Sequence, residues 1–232
     1  MLNHGSLQYV TRLTPPAPLE LKPLYFEVPG DISSAAFLIV AALVTPGSEI
    51  RLNNVGLNPT RTGLLDALAD MGADIAITSQ RDQQGEPVGD LTVRFSHLRG
   101  TQVSGSLVVR MIDEFPAFAA AAAFASGRTV VCQAEELRLK ESDRIGQLCR
   151  ELAALGVQVS EAPDGFAVQG GSRPRGGQVQ AHADHRLAMS LALVGLAAQA
   201  PVIVAGAQSF TESFPDFVEV LQSFGAQLEL FG

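Results

Sequence analysis

Three stretches of the chain are apolar nearly all the way round: residues 35–44, residues 115–125 and the run that begins at Leu187. Residues 117–124 carry no polar side chain at all, and helices of that kind belong in an interior. Each stretch opens on an aspartate, in Asp31-Ile32-Ser33-Ser34, Asp113-Glu114-Phe115-Pro116 and Asp184-His185-Arg186-Leu187. Each is followed by a turn and an extended run: Pro46-Gly47-Ser48-Glu49-Ile50, Ser126-Gly127-Arg128-Thr129-Val130 and Gln199-Ala200-Pro201-Val202-Ile203. A polar loop comes next, then a helix with charged residues or Gln on one face. That helix stops at Met71-Gly72-Ala73, Leu155-Gly156-Val157 and Phe224-Gly225-Ala226. From opening Asp to closing Gly the distances are 41, 43 and 41 residues. A period held that closely marks a structural repeat.

The punctuation has local causes. Asp at each start predicts an N-cap that accepts orphan helix N–H groups. Gly72, Gly156 and Gly225 stand where a helix needs a left-handed residue to stop. The alternation after each glycine predicts a strand, including residues 226–228 in the third unit. Residues 91–95 and 166–169 are further strands that close the first two units through polar hairpins. Residues 79–90 read as a long, polar, exposed connection. The pattern predicts a three-fold pseudo-symmetric α/β domain, with the first helix of each unit inside and the second outside. Residues 1–28 do not follow the repeat: Thr14-Pro15-Pro16-Ala17-Pro18 breaks any element, and residues 19–28 look extended. The repeating domain begins at Pro29 and runs to residue 232.

Composition narrows the function. A net charge of −8 argues against a dedicated nucleic-acid binder, whose affinity comes largely from neutralising phosphates. With no Trp and two Tyr there is little for a base-stacking platform. Two cysteines, Cys132 and Cys149, cannot build a disulfide framework or a four-thiolate zinc site. They read as reduced thiols of a cytoplasmic protein. The apolar runs are too short to span a bilayer, and no basic segment followed by an apolar core suggests a signal peptide.

The chain has two lysines. One, Lys140, lies in Leu139-Lys140-Glu141-Ser142-Asp143-Arg144, at the predicted start of an outer helix. Helix N-termini already favour anions. Cations added there suit a phosphate or carboxylate ligand rather than helix stability. The hexapeptide by itself also fits a solvated turn capped by Ser142. Arg186 opens a helix expected to be buried and needs a partner, for which a neighbouring Asp would serve. His185 and the Asp113-Glu114 pair are, one at a time, compatible with packing and capping. Taken together they gain weight. Pseudo-symmetry would bring the helix starts to one face, where Lys140, Arg144, Arg186, His185, Asp113 and Glu141 would form an anion site with acid–base groups beside it.

These residues carry a resemblance. Pro29-Gly30-Asp31-Ile32-Ser33-Ser34-Ala35-Ala36-Phe37, Asn58-Pro59-Thr60-Arg61, Ile112-Asp113-Glu114-Phe115-Pro116, Glu135-Glu136-Leu137-Arg138-Leu139-Lys140-Glu141-Ser142-Asp143-Arg144, Asp184-His185-Arg186-Leu187-Ala188-Met189 and Ser213-Phe214-Pro215-Asp216-Phe217 occur in order. The chain in this respect resembles the 5-enolpyruvylshikimate-3-phosphate synthases (3-phosphoshikimate 1-carboxyvinyltransferases). The resemblance implies half of a two-domain fold, each domain built of three βαβαββ-type units, with the active site in the cleft between them. It implies that this is the C-terminal domain, with residues 1–28 a remnant of the other. Nothing here matches the family's substrate-binding segments of the N-terminal domain, nor the opening strand that packs into this one.

The implied reaction joins phosphoenolpyruvate to the 5-hydroxyl of shikimate 3-phosphate and releases phosphate, a step of aromatic amino acid biosynthesis and the target of glyphosate. By position, Asp113 resembles the base that also holds the shikimate hydroxyls. Lys140 resembles the lysine beside that hydroxyl, and Glu141 the acid/base at C3. Arg144 and Arg186 resemble the pair that grips phosphoenolpyruvate, with His185 next to them, and Glu136 stands where some members have an Asn of the shikimate 3-phosphate site. No metal or organic cofactor is implied. The implied partners are the two substrates and the missing N-terminal domain. One departure is Glu212, where many members carry Lys. Two other readings stay open: a non-catalytic, anion-binding half-domain, and a relative of the enzyme that transfers enolpyruvyl to UDP-N-acetylglucosamine.

Overall fold

A computed structural model describes Pro23 and residues 25–231. The first half contains α1 (Ile32–Val44), β1 (Glu49–Gly56), α2 (Gly63–Asp70), β2 (Asp74–Gln83), β3 (Glu86–Arg94), β4 (Gln102–Val103) and α3 (Ser106–Arg110). The second contains α4 (Phe115–Phe124), β5 (Gly127–Val131), α5 (Arg144–Ala154), β6 (Gln158–Ala162), β7 (Gly165–Gly170), β8 (Gly177–Gln180), α6 (His185–Gly195), β9 (Val202–Ala205) and α7 (Phe217–Ser223). Short 3-10 turns occupy Glu135–Leu139 and Ala207–Glu212. The expected remnant at residues 1–28 lies almost wholly outside the described residues.

The all-apolar helices are the interior. α1, α4 and α6 pack against one another, and every residue of α4 from Phe115 to Ala123 is buried. Aromatic edges tie the layers together. The Phe115 ring meets those of Phe118 and Phe166 edge-on at 6.2 and 6.3 Å. Phe217 of α7 meets Phe37 of α1 at 6.1 Å, which joins the outer helix of the third unit to the inner helix of the first.

The units repeat in detail. In the first, the sheet order is β1-β3-β2, and both outer strands run antiparallel to β3. In the second it is β4-β5-β7-β6, with the same antiparallel core. Each outer helix ends in the same way. Gly72, Gly156 and Gly225 have φ of 86°, 84° and 92°. The residue after each donates five residues back, Ala73 to Leu68, Val157 to Leu152 and Ala226 to Leu221. This is the Schellman stop that the glycines predict.

Three expectations need correction. Residues 79–90 are not a loop: β2 and β3 form one hairpin turned at Gln84-Gly85, with Gln83 opposite Glu86. Both turn residues have positive φ, 58° and 93°, which suits a two-residue hairpin turn. The outer half of β2 is exposed on both faces, so the alternation that signals a strand is missing there. The third unit is also less complete than predicted. Residues 226–231 are not a strand, and its sheet is the parallel pair β8-β9. Among the described residues, no counterpart of β3 or β7 is available for that segment to pair with. Asp113, finally, does not cap α4. The cap position is Glu114, whose side chain makes no capping bond, whereas Asp31 and Asp184 cap α1 and α6 as expected.

The fold predicts two different penalties in urea unfolding. Gly72→Ala has open space for its Cβ, so it should cost only the left-handed backbone strain, about 1–2 kcal/mol. Phe118→Ala empties a fully buried site and should cost about 3–5 kcal/mol. Equal effects of the two would contradict this division between punctuation and core.

Candidate active site

The starts of α1, α4, α5 and α6 meet at one end of the inner helices. Arg144, the first residue of α5, is 1% exposed and reaches three carboxylates. Its Nε donates to Oδ2 of Asp184 at 2.9 Å, and its Nη2 lies 2.6 Å from Oε2 of Glu141. Its Nη1 stands 3.5 Å from Oδ1 of Asp113 and makes no hydrogen bond. Lys140 Nζ approaches the same Oδ1 at 3.5 Å and Glu136 Oε1 at 3.5 Å. Arg186 Nη1 donates to the backbone carbonyl of Asp113 at 3.1 Å. The chain thus brings Asp113, Glu136, Lys140, Glu141, Arg144 and Arg186 into one connected network.

Burial and neighbouring charges together set the protonation of each group. Burial raises the Asp113 carboxyl, but the fields of Arg186, Lys140 and Arg144 outweigh it and hold the group below its ordinary value. Asp184, fully buried, follows the same logic through its bonds to Arg144, Leu187 and Ser142. His185 is pushed down by burial and by Arg186, so its imidazole favours the neutral form. Its Nδ1 is buried without a hydrogen bond and lies 3.9 Å from Oε2 of Glu212. The residue that departs from the family pattern therefore lies beside this imidazole. Arg186 finds a backbone carbonyl rather than the Asp partner expected for it. Ser142 does not cap α5. Asp143 does so through Gly146 N–H, and Ser142 Oγ donates to Asp184 instead.

Glu114 was not singled out by the sequence beyond its place beside Asp113. It is 1% exposed and bonds Ser33 Oγ at the start of α1. Arg61 Nη2 donates to the same hydroxyl at 2.8 Å and lies 3.9 Å from the carboxylate. Burial lifts the Glu114 carboxyl above its ordinary value, against the pull of Ser33, Arg186 and Arg61. The one signal in the sequence is an acid placed directly before an all-apolar helix.

The fold class is shared with solved enolpyruvyl transferases. The NikO enolpyruvyl transferase from Streptomyces tendae superposes with a TM-score of 0.68 at 21% identity, over 84% of this chain and 43% of that one. The family model of EPSP synthase (3-phosphoshikimate 1-carboxyvinyltransferase) matches residues 8–221, and the chain belongs to that family. An EPSP synthase structure from Acinetobacter baumannii is similar with a TM-score of 0.87 and 39% identity, covering 89% of this chain and 48% of that one. The 3-phosphoshikimate 1-carboxyvinyltransferase of Synechococcus sp. (strain JA-3-3Ab) is 53% identical over 84% of this chain and 44% of its own length. That of Desulforudis audaxviator is 52% identical over 84% and 46%. The chain spans about half the length of the curated relatives it matches. Among the described residues, no helix is long and apolar enough to cross a membrane.

The two acids at the start of α4 should titrate in opposite directions. Glu114, raised in the folded state, stabilises the fold below its ordinary pKa of 4.5 and loses that stabilisation as pH rises through its folded value. Asp113 and Asp184, lowered, lose theirs as pH falls through their folded values, below 3.8. Glu114→Gln should therefore gain thermal stability over the parent as pH rises from 4 to 8. A melting-temperature difference that stays constant across that range would contradict the assignment.

Proposed function

We propose that this chain supplies one half of the site that transfers the enolpyruvyl group of phosphoenolpyruvate to the 5-hydroxyl of shikimate 3-phosphate, with release of phosphate. Residues 29–232 form the domain that does so, in the cytoplasm, against a complementary N-terminal domain. The observation that carries this reading is the carboxylate of Asp113. It is spared from capping α4 and held between Lys140 and Arg144. A carboxylate kept ionised beside two cations can accept a hydroxyl proton while the cations steady the anionic substrates. The names of the relatives favour shikimate 3-phosphate as acceptor over UDP-N-acetylglucosamine.

The chemistry distributes as follows. Asp113 takes the proton of the 5-hydroxyl as its oxygen bonds to C2 of phosphoenolpyruvate, and Lys140 stabilises the charge on that side. Glu141, with its side chain 46% exposed, gives a proton to C3. The tetrahedral adduct then expels phosphate, which leaves with the proton that Asp113 took, while C3 returns its proton to Glu141. Arg186 holds the phosphoenolpyruvate anion; Arg144, 1% exposed and engaged by carboxylates, contributes its field rather than a contact, and His185 lines the same side. Glu136 steadies Lys140 and borders the shikimate 3-phosphate subsite.

One observation favours a weak half-site for the chain by itself. Arg144 is already engaged by carboxylates, and the cations open to solvent are screened. Each exposed ion contact is worth about 0–1 kcal/mol, whereas positioning two reactants contributes about 7–11 kcal/mol. The chain alone should bind anions and turn over nothing. Phosphate release from phosphoenolpyruvate and shikimate 3-phosphate should appear only when a complementary N-terminal half is added. In that reconstituted enzyme, Asp113→Ala and Lys140→Met should each lower kcat by about 10²–10⁴-fold with unchanged circular dichroism. Turnover by the chain alone would overturn the half-site reading, and loss of folding in either variant would assign those residues to structure instead.

A further inference from the structure

A second buried carboxylate faces the same segment as Arg144. Glu151 follows Arg144 by two helical turns on α5, so the two lie on one face. Arg144 holds Asp184, and Glu151 holds the chain just before it. Its Oε2 accepts from the Gln180 N–H at 3.0 Å, and its Oε1 lies 2.7 Å from His182 Nε2. Glu151 is 5% exposed, so both carboxylate oxygens are used inside the protein. Between the two holds, His182 and Ala183 are successive residues with φ of +55°. Non-glycine residues seldom enter that region, and such backbone persists only where its surroundings over-determine it. Ala183 has no side-chain group to help. The turn is closed by Asp184 N–H to Ala181 O at 3.0 Å, and α6 begins at the next residue, His185.

We propose that Glu151 is a positioning residue. By holding Gln180 and His182 it keeps the left-handed pair His182-Ala183 in place, and so fixes where α6 presents Asp184, His185 and Arg186. Glu151 touches no expected ligand, and its effect on anions passes wholly through this turn. The anion arm of the inference rests on the reading given under Proposed function; the turn itself does not.

The test uses the full, isotope-labelled chain. Three-bond amide–Hα couplings at His182 and Ala183 report φ, and an inorganic phosphate titration is followed at the amides of His185 and Arg186. Glu151→Gln keeps two hydrogen-bonding atoms and should retain both signatures. Glu151→Ala should lose the left-handed couplings and weaken the phosphate response ~tenfold, the scale set by the strain of one left-handed residue. Adding Ala183→Gly, which enters that region without strain, should restore most of the response. A purely structural glutamate would not be rescued by a glycine at another position. Unchanged couplings in Glu151→Ala, or no rescue by Ala183→Gly, would overturn the proposal. If Glu151→Ala does not fold, the double variant decides: recovered folding supports the proposal and continued unfolding overturns it. Wild-type amides that ignore phosphate would instead refute the anion site, leaving the couplings to judge Glu151.

Discussion

The ion pair between Arg144 and Asp184 is the constraint on which the rest of the site depends. Arg144 is 1% exposed and Asp184 is fully buried. Taking both charges out of water costs several kcal/mol per ion, and the attraction between them offsets that only with good geometry and further hydrogen bonds. Asp184 has those bonds: it accepts from Ser142 Oγ and from the N–H groups of Arg186 and Leu187 as well as from Arg144. Apolar residues would fill the same space at less electrostatic cost. What the pair does is join the outer helix of the second unit to the inner helix of the third. That junction places Lys140, Glu141 and Arg186 around Asp113.

The three opening aspartates show how a repeat becomes a site. All three open a unit in the sequence, but in the fold Asp113 stands one residue before the cap position, which Glu114 fills. Asp31 caps α1 through Ser33 and Ser34 and enters no ion pair among the described residues. Asp184 caps α6 and also binds a buried guanidinium. Asp113 has given up capping, and its carboxylate is left facing Lys140 and Arg144. The chemistry thus sits where the units differ, while the glycine stops and the inner helices, where they agree, hold the frame.

Much of this was legible in the sequence because it is local. The inner helices announce themselves by continuous apolar composition, the outer ones by a polar face, and the glycines by their spacing. The family strings also pick out Asp113, Lys140, Glu141, Arg144, Arg186 and His185, which the fold gathers at one end. What escaped is long-range. Ser33 and Glu114 are 81 residues apart and Glu151 and His182 are 31 apart, and no periodicity records such pairings. The hairpin at Gln84-Gly85 escaped because the outer part of β2 is polar on both faces. That residues 226–228 pair with no strand among the described residues escaped because a strand pattern says nothing of a partner.

We infer that the junction made by Arg144 and Asp184 assembles an incomplete anion site. A titration of the isolated chain with shikimate 3-phosphate, read calorimetrically and by backbone amide shifts, tests it most directly. Weak binding is expected, with shifts gathered at Asp113, Lys140, Glu141 and Arg186. Tight, saturable binding by the chain alone, or shifts centred elsewhere on the surface, would contradict it.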